Sequence, residues 1–154
     1  MDLLDFTIRV LVALAAGMII GFERQLHQKK AGLRTHSLVA LGSAVFVLIS
    51  FEVTGKSGGD ATRIIGQVVT GIGFLGAGVI LRQGLSVHGL TTAATIWCSS
   101  ATGCLAAAGY FYETAICSFL IVFVNVALRR FDDRIESLSA RKGRKKSEQH
   151  NGSA

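Results

Sequence analysis

Between Arg63 and Arg82 the chain runs for 18 residues without a charge, from Ile64-Ile-Gly-Gln through to Val79-Ile-Leu81. Two incompatible folds can be built on this stretch. Gly71-Ile-Gly73-Phe-Leu-Gly76 matches the G-x-G-x-x-G string of a dinucleotide-binding turn. The same residues are long and apolar enough to cross a bilayer, for which about 18 uncharged positions suffice. Half of all residues are hydrophobic, the mean hydropathy is +0.48, and only 17% are charged. A soluble domain is about a quarter charged. No acidic residue occurs in the 52 positions between Asp60 and Glu113. A dinucleotide fold needs an acid roughly 20 residues past its glycines to hold a ribose. The membrane reading therefore takes precedence, and no cofactor is expected.

Five apolar segments follow: about Phe6–Phe22, Ser37–Phe51, Ile64–Leu81, Gly89–Gly109 and Phe111–Leu128. Each approaches the ~17–25 residues of a spanning helix, the second only marginally. The absence of proline suits unbroken helices. The expected fold class is all-α, a polytopic membrane helical bundle of five transmembrane helices. The competing count is four, with the fourth segment buried or re-entrant. Residues 1–130 would form the membrane domain and 131–154 a short basic tail.

Lysine and arginine set the orientation. Arg24, Lys29, Lys30 and Arg34 fall in the first connector, Arg82 in the third, and eight basic residues after Leu128; together they make 13 of the 16. Five spans with the N-terminus outside and the C-terminus cytoplasmic satisfy every connector. Tyr110 and Tyr112 then lie at the outer interface, in a tight turn that makes segments four and five an antiparallel hairpin. The cluster Arg141–Lys146 reads as a topological and lipid-facing signal rather than a nucleic-acid one. Ala13-Leu14-Ala15 fits a cleavage pattern, but Asp2, Asp5 and Arg9 argue against a signal peptide. Cys98, Cys104 and Cys117 are read as reduced small hydrophobes.

Polar and small residues at membrane depth need partners in the protein. In the third segment Gly66, Thr70, Gly73 and Ala77 share one helical face, and Gly71, Gly76 and Gly78 make other faces small. This predicts a central helix with neighbours on several sides. Ala13, Gly17 and Gly21 repeat the spacing in the first segment. Thr91, Thr95, Ser99 and Thr102 form a hydroxyl stripe in the fourth. Helix packing is the simpler use of these residues; a polar lining for an ion or solute path is the sharper one. A helix broken at the glycines of the third segment is a further alternative.

Charges at the segment ends form a second set. Glu23 with Arg34 or Arg82 is expected to pin one end of the bundle as a partly buried ion pair. Thr35 or Ser37 is a candidate cap for the second helix. Arg63 and Gln67, one turn apart, are expected to face inward near Arg9 or Glu52. Glu23, His27, His36 and His88 lie on one side of the membrane, yet their spacing fits no metal-ligand signature. No triad, P-loop or nucleotide domain is present in the sequence, so no enzymatic activity is expected.

The block Gly21-Phe-Glu23-Arg24, with Lys30-Ala-Gly32-Leu-Arg34-Thr35-His36, resembles the first signature of the MgtC/SapB family. Arg63-Ile-Ile-Gly-Gln67 through Gly78-Val-Ile, followed by Gly89-Leu-Thr91-Thr92-Ala-Ala-Thr-Ile-Trp97, resembles the rest. The resemblance implies a bacterial multi-pass inner-membrane protein associated with growth in low magnesium and with virulence. It implies a regulatory role, including contact with the membrane sector of F-type ATP synthase. As given, the chain ends soon after Lys146, short of the ACT-like cytoplasmic domain of longer members. Roles that depend on that domain are not expected of it. Three functions are thus weighed. The first is a regulator or accessory factor in magnesium homeostasis. The second is a small channel or transporter for magnesium or another cation, lined by Gln67, Thr70 and the Thr91–Thr102 stripe. The third is a structural subunit whose glycine faces bind a membrane partner or a second copy.

Overall fold

The computed structural model describes residues 1–57, 59–84 and 86–129; the polybasic cluster and most of the tail lie outside them. The helices are α1 (Leu3–Leu26), α2 (Leu33–Ser57), α3 (Thr62–Gly78), α4 (Leu90–Ala107) and α5 (Phe111–Arg129). Two short strands, β1 (Leu81–Gln83) and β2 (Ser86–His88), pair antiparallel between α3 and α4. The chain divides into two compact units, Met1–Val122 and Phe123–Ala154. All packing described below belongs to the first.

The fold class is that of an all-α membrane bundle. Helices α1, α2 and α5 are long and apolar enough to cross a bilayer; α3 has 17 residues and α4 has 18. The distribution of side chains is the reverse of a soluble protein's. Buried positions include Ser37, Ser43, Thr95, Ser99, Ser100 and Thr102, while Phe46, Phe74, Trp97 and Phe119 are exposed. Apolar groups turned outward and hydroxyls turned inward are what a lipid solvent selects.

Helix α2 is the axis, packed against α1 on one side and α4 on the other. Ala13, Ala44, Val47, Leu48, Ala106 and Ala107 form the larger core cluster. The crossings are close because they carry glycine. A Cβ at Gly17 would lie 2.9 Å from Ala40 Cβ and 2.6 Å from the His36 carbonyl oxygen, and one at Gly103 would fall on the Ala40 carbonyl oxygen. Ala40 is thus gripped from both sides, and its own exposure is nil.

The central position expected for α3 is corrected. It leans mainly on α4, touches α2 lightly, and buries only Ile72 and Gly76. Around Gly66, Gly71, Gly73 and Gly78 there is open space, with no atom within 4 Å of an added Cβ. Small spacing permits close approach; it does not supply the neighbour. Only Gly76 meets one, Ala93 of α4 at 3.7 Å. The start of α3 is fixed by Asp60, whose Oδ1 accepts from Thr62 N at 2.8 Å and Thr62 Oγ1 at 2.6 Å. These bonds hold the exposed carboxyl below its ordinary range.

Two helix ends close with the same device. At α4, Gly109 (φ 88°) lets Gly109 N bond Ala106 O at 3.1 Å and Tyr110 N bond Leu105 O at 3.1 Å. This is a Schellman cap, and it yields the tight turn into α5. At α1, Gln28 (φ 51°) takes the left-handed position, with Gln28 N to Gln25 O and Lys29 N to Arg24 O both at 3.0 Å. That turn folds residues 29–32 back over the end of α1.

Candidate functional site

Gly21 and Gly17 let the first turn of α2 press onto α1: a Cβ at Gly21 would stand 2.7 Å from Leu33 Cα. Helix α2 begins at Leu33, whose N–H donates to Gln25 Oε1 at 3.1 Å. Thr35 and Ser37 therefore lie inside the helix and do not cap it, which corrects that expectation. The close approach buries His36 completely.

A polar zone assembles where α1, α2 and α4 meet. Arg24, only 2% exposed, donates from Nη2 to Thr92 Oγ1 at 3.3 Å. His36 Nδ1 lies 2.8 Å from Ser99 Oγ. Ser99 Oγ also donates to the Thr95 carbonyl at 3.0 Å. The His36–Ser99 contact joins α2 to α4 through two fully buried side chains. Two turns further along α2, Ser43 shares a hydrogen bond of 2.7 Å with Ser100, the neighbour of Ser99. Buried Glu23 reaches His27, with Oε1 2.9 Å from Nδ1. Its other oxygen, Oε2, is buried with no hydrogen bond among the described residues.

The expected pairing of Glu23 with Arg34 or Arg82 does not form. Arg34 is exposed, and Arg82 is exposed with Nε on the Gly84 carbonyl at 3.1 Å. The cause is local: the α1 cap places His27 one turn from Glu23, nearer than either arginine. Arg63 and Gln67 are both exposed on α3, and neither is bonded to Arg9 or Glu52. Arg9 instead donates to Asp5 at 2.9 Å and to the Ala107 carbonyl at 2.6 Å. Glu52 lies 3.3 Å from the N-terminal amine. Trp97 is half-exposed and Thr91 is exposed.

Three of the four hydroxyls in the α4 stripe donate to their own helix, Ser99 among them. Thr95 donates to Thr91 O at 2.7 Å and Thr102 to Ser99 O at 2.8 Å. Thr70 of α3 does the same toward Gly66 O at 3.0 Å. Among the described residues no three His, Cys, Asp or Glu side chains gather to hold a metal, so Glu23, His27, His36 and His88 do not form such a group.

A second feature is an open apolar groove of about 960 Å³ between α2 and α3. Arg34 and Thr35 stand at one end, Phe46 and Ile64 at the other, and Gln67 and Gly71 along the α3 wall. It brings three of the sequence candidates, Arg34, Thr35 and Gln67, to one place. Arg24, His36 and Thr92 belong to the polar zone instead. Ser43, Ser100, Gly103 and the Arg9–Ala107 contact escaped sequence reading. The isolated Ser43 in an apolar run, opposite the Ser99-Ser100 pair, was the available signal.

Comparison with known proteins identifies the family. The model of the MgtC family matches residues 10–134. Protein MgtC of Brucella abortus (strain 2308) is 47% identical over 131 residues, covering 85% of this chain and 54% of the relative. Protein MgtC of Salmonella typhimurium (strain LT2) is 46% identical over 138 residues, covering 90% and 58%. The chain thus spans a little over half the length of these relatives. No solved structure matches it. Glu23, Arg24, His36 and Thr92 of the polar zone all fall within the matched residues. With a family model covering most of its length and relatives near half identical, this membrane protein belongs to the MgtC family.

Proposed function

We propose that the protein is a non-enzymatic inner-membrane regulator or accessory factor in magnesium homeostasis, used in adaptation to low magnesium. The observation that carries this reading is the locked state of the polar zone. Arg24–Thr92, His36–Ser99 and Ser43–Ser100 tie three helices together. The α4 hydroxyls that would line a path donate to their own backbone. A conducting route needs such groups free to replace an ion's water. A regulator needs only a rigid frame and a surface. On this reading the protein crosses the membrane five times, N-terminus outside, and acts through a second membrane protein, the membrane sector of F-type ATP synthase being the first candidate by resemblance.

Liposomes containing only this protein should show no magnesium flux above empty vesicles. Robust flux that Gln67→Ala abolishes would overturn the regulatory reading in favour of transport. Capture from native membranes of cells grown in low magnesium should retain a membrane-protein partner.

A further inference from the structure

We propose that the groove between α2 and α3 is a binding site for one anionic phospholipid, with its headgroup on Arg34 and an acyl chain running along Leu38, Phe46 and Leu75. The inference concerns the site alone and stands whether or not the protein regulates magnesium.

The groove exists because α3 stands off from α2 while leaning on α4. Ser50 Oγ donates to the Ala61 carbonyl at 3.3 Å, which sets the start of α3 beside Ser50 and runs the two helices antiparallel. Between them Gly42 and Gly71 face space: neither would meet an atom within 4 Å if it carried a Cβ. The lining is apolar apart from Arg34, Thr35, Ser43 and Gln67, and Ser43 is already bonded to Ser100. Among the described residues Arg34 is the single charge in that lining. It is exposed, and no acidic side chain pairs with it among the described residues.

Length agrees with a lipid. From Arg34 to Phe46 the α2 wall advances about 18 Å at ~1.5 Å per residue. One leaflet of a ~30 Å hydrocarbon core is about 15 Å deep. A headgroup held at Arg34 therefore lets one chain follow the groove through its own leaflet. The guanidinium matches phosphate geometry with paired donors, and Thr35 adds a hydroxyl beside it. A helix of a second copy fits less well. Of the exposed helices, Thr62–Gly78 contains no acidic residue, and the Glu113 of Phe111–Arg129 lies in its first turn, beside the end of α4 and away from the start of α2, so neither brings a counter-charge to Arg34.

The test is native mass spectrometry of the intact protein in micelles, offered phosphatidylglycerol or phosphatidylcholine with identical chains. The wild type should retain one phosphatidylglycerol per chain in preference to phosphatidylcholine. Arg34→Gln should reduce that preference about tenfold, as for loss of a hydrogen bond to a charged group. Gly71→Leu and Gly42→Leu should fill the groove and release both lipids. Gly66→Leu, the same change on α3 outside the groove lining, should retain lipid as the wild type does. Equal retention of the two lipids by the wild type overturns the proposal. So does an undiminished preference in Arg34→Gln, or equal loss in Gly66→Leu and Gly71→Leu. Crosslinks placing a second copy in the groove would also overturn it. If a leucine variant loses its helicity, the arginine variant decides alone.

Discussion

Gly103 and Ser43 lie on the same helix crossing, and their effects should differ in size for a physical reason. A Cβ at Gly103 would meet Ala40 Cα at 2.9 Å and fall on that residue's carbonyl oxygen, both parts of a backbone that cannot move aside cheaply. Forcing extra volume into such a contact costs about 1–3 kcal/mol. The Ser43–Ser100 bond is between two neutral hydroxyls in lipid surroundings, where interhelical hydrogen bonds average about 0.6 kcal/mol. Gly103→Ala should therefore destabilise the bundle more than Ser43→Ala, although the serine makes the more visible interaction. Unfolding by graded detergent denaturation would order the two variants. Gly17, found from its spacing, faces the same residue from α1. Gly103 also sits in a small-x-x-x-small run, Ser99-Gly103-Ala107, but Ser99 was read as part of a hydroxyl stripe, so the packing signal on this helix went unused.

At the level of elements, Arg9 links two helices by their ends. Its guanidinium meets Asp5 one turn earlier and the Ala107 carbonyl at the last turn of α4. That carbonyl is one of the groups a helix end leaves without an internal partner, and a cation there also opposes the helix dipole. Arg9→Met keeps much of the apolar stem and removes both bonds. It should cost about 1–2 kcal/mol, less than a fully buried charged bond, because the side chain is still partly open. The start of α3 gives a pH effect with a definite sign. The folded-state value of Asp60 is depressed, so its contribution is present above the ordinary carboxylate range and is lost as pH falls through the lower folded value. The protection of the Thr62 amide relative to its intrinsic exchange rate should fall there, and Asp60→Ala should remove that protection at every pH. The five helices were legible in the sequence because each apolar run is long. The place of α3 was not: Gly66, Thr70 and Gly73 form a real stripe, but periodicity reports what a face allows and not what occupies it. The β1–β2 pair was also missed, despite the two-residue loop led by Gly84 (φ 60°), which is a hairpin signal. Its strands of three residues are too short for alternation to stand out.

Across the whole molecule, topology can be decided by placing reporters in turns whose geometry tolerates insertion. An α3 of 17 residues extends about 25 Å, short of a ~30 Å hydrocarbon core, so the alternative to five crossings is a path in which α3 and α4 enter and leave on one side. The two cases differ at a single loop. If α3 and α4 both cross, the exposed hairpin at Gly84 lies on the same face as the α1–α2 turn at Gln28. The loop at Gly59 and the turn at Tyr110 then share the opposite face. If α3 and α4 form a re-entrant pair, Gly84 sits at membrane depth, shielded from both sides, while Gly59 and Tyr110 still share a face. Exposed hairpin residues Arg82, Gln83 and His88 favour the first case, because charged and polar side chains on a free hairpin are costly inside lipid. Single cysteines introduced at Gln28, Gly59, Gly84 and Tyr110, in a background without Cys98, Cys104 and Cys117, would be probed with an impermeant thiol reagent on intact cells. Gly59 and Tyr110 should label from outside, and Gln28 and Gly84 only after the membrane is opened. Persistent protection of Gly84 after opening would replace the five-crossing bundle with a three-crossing one. Outside labelling of Gln28 would reverse the orientation expected from its neighbouring lysines and arginines.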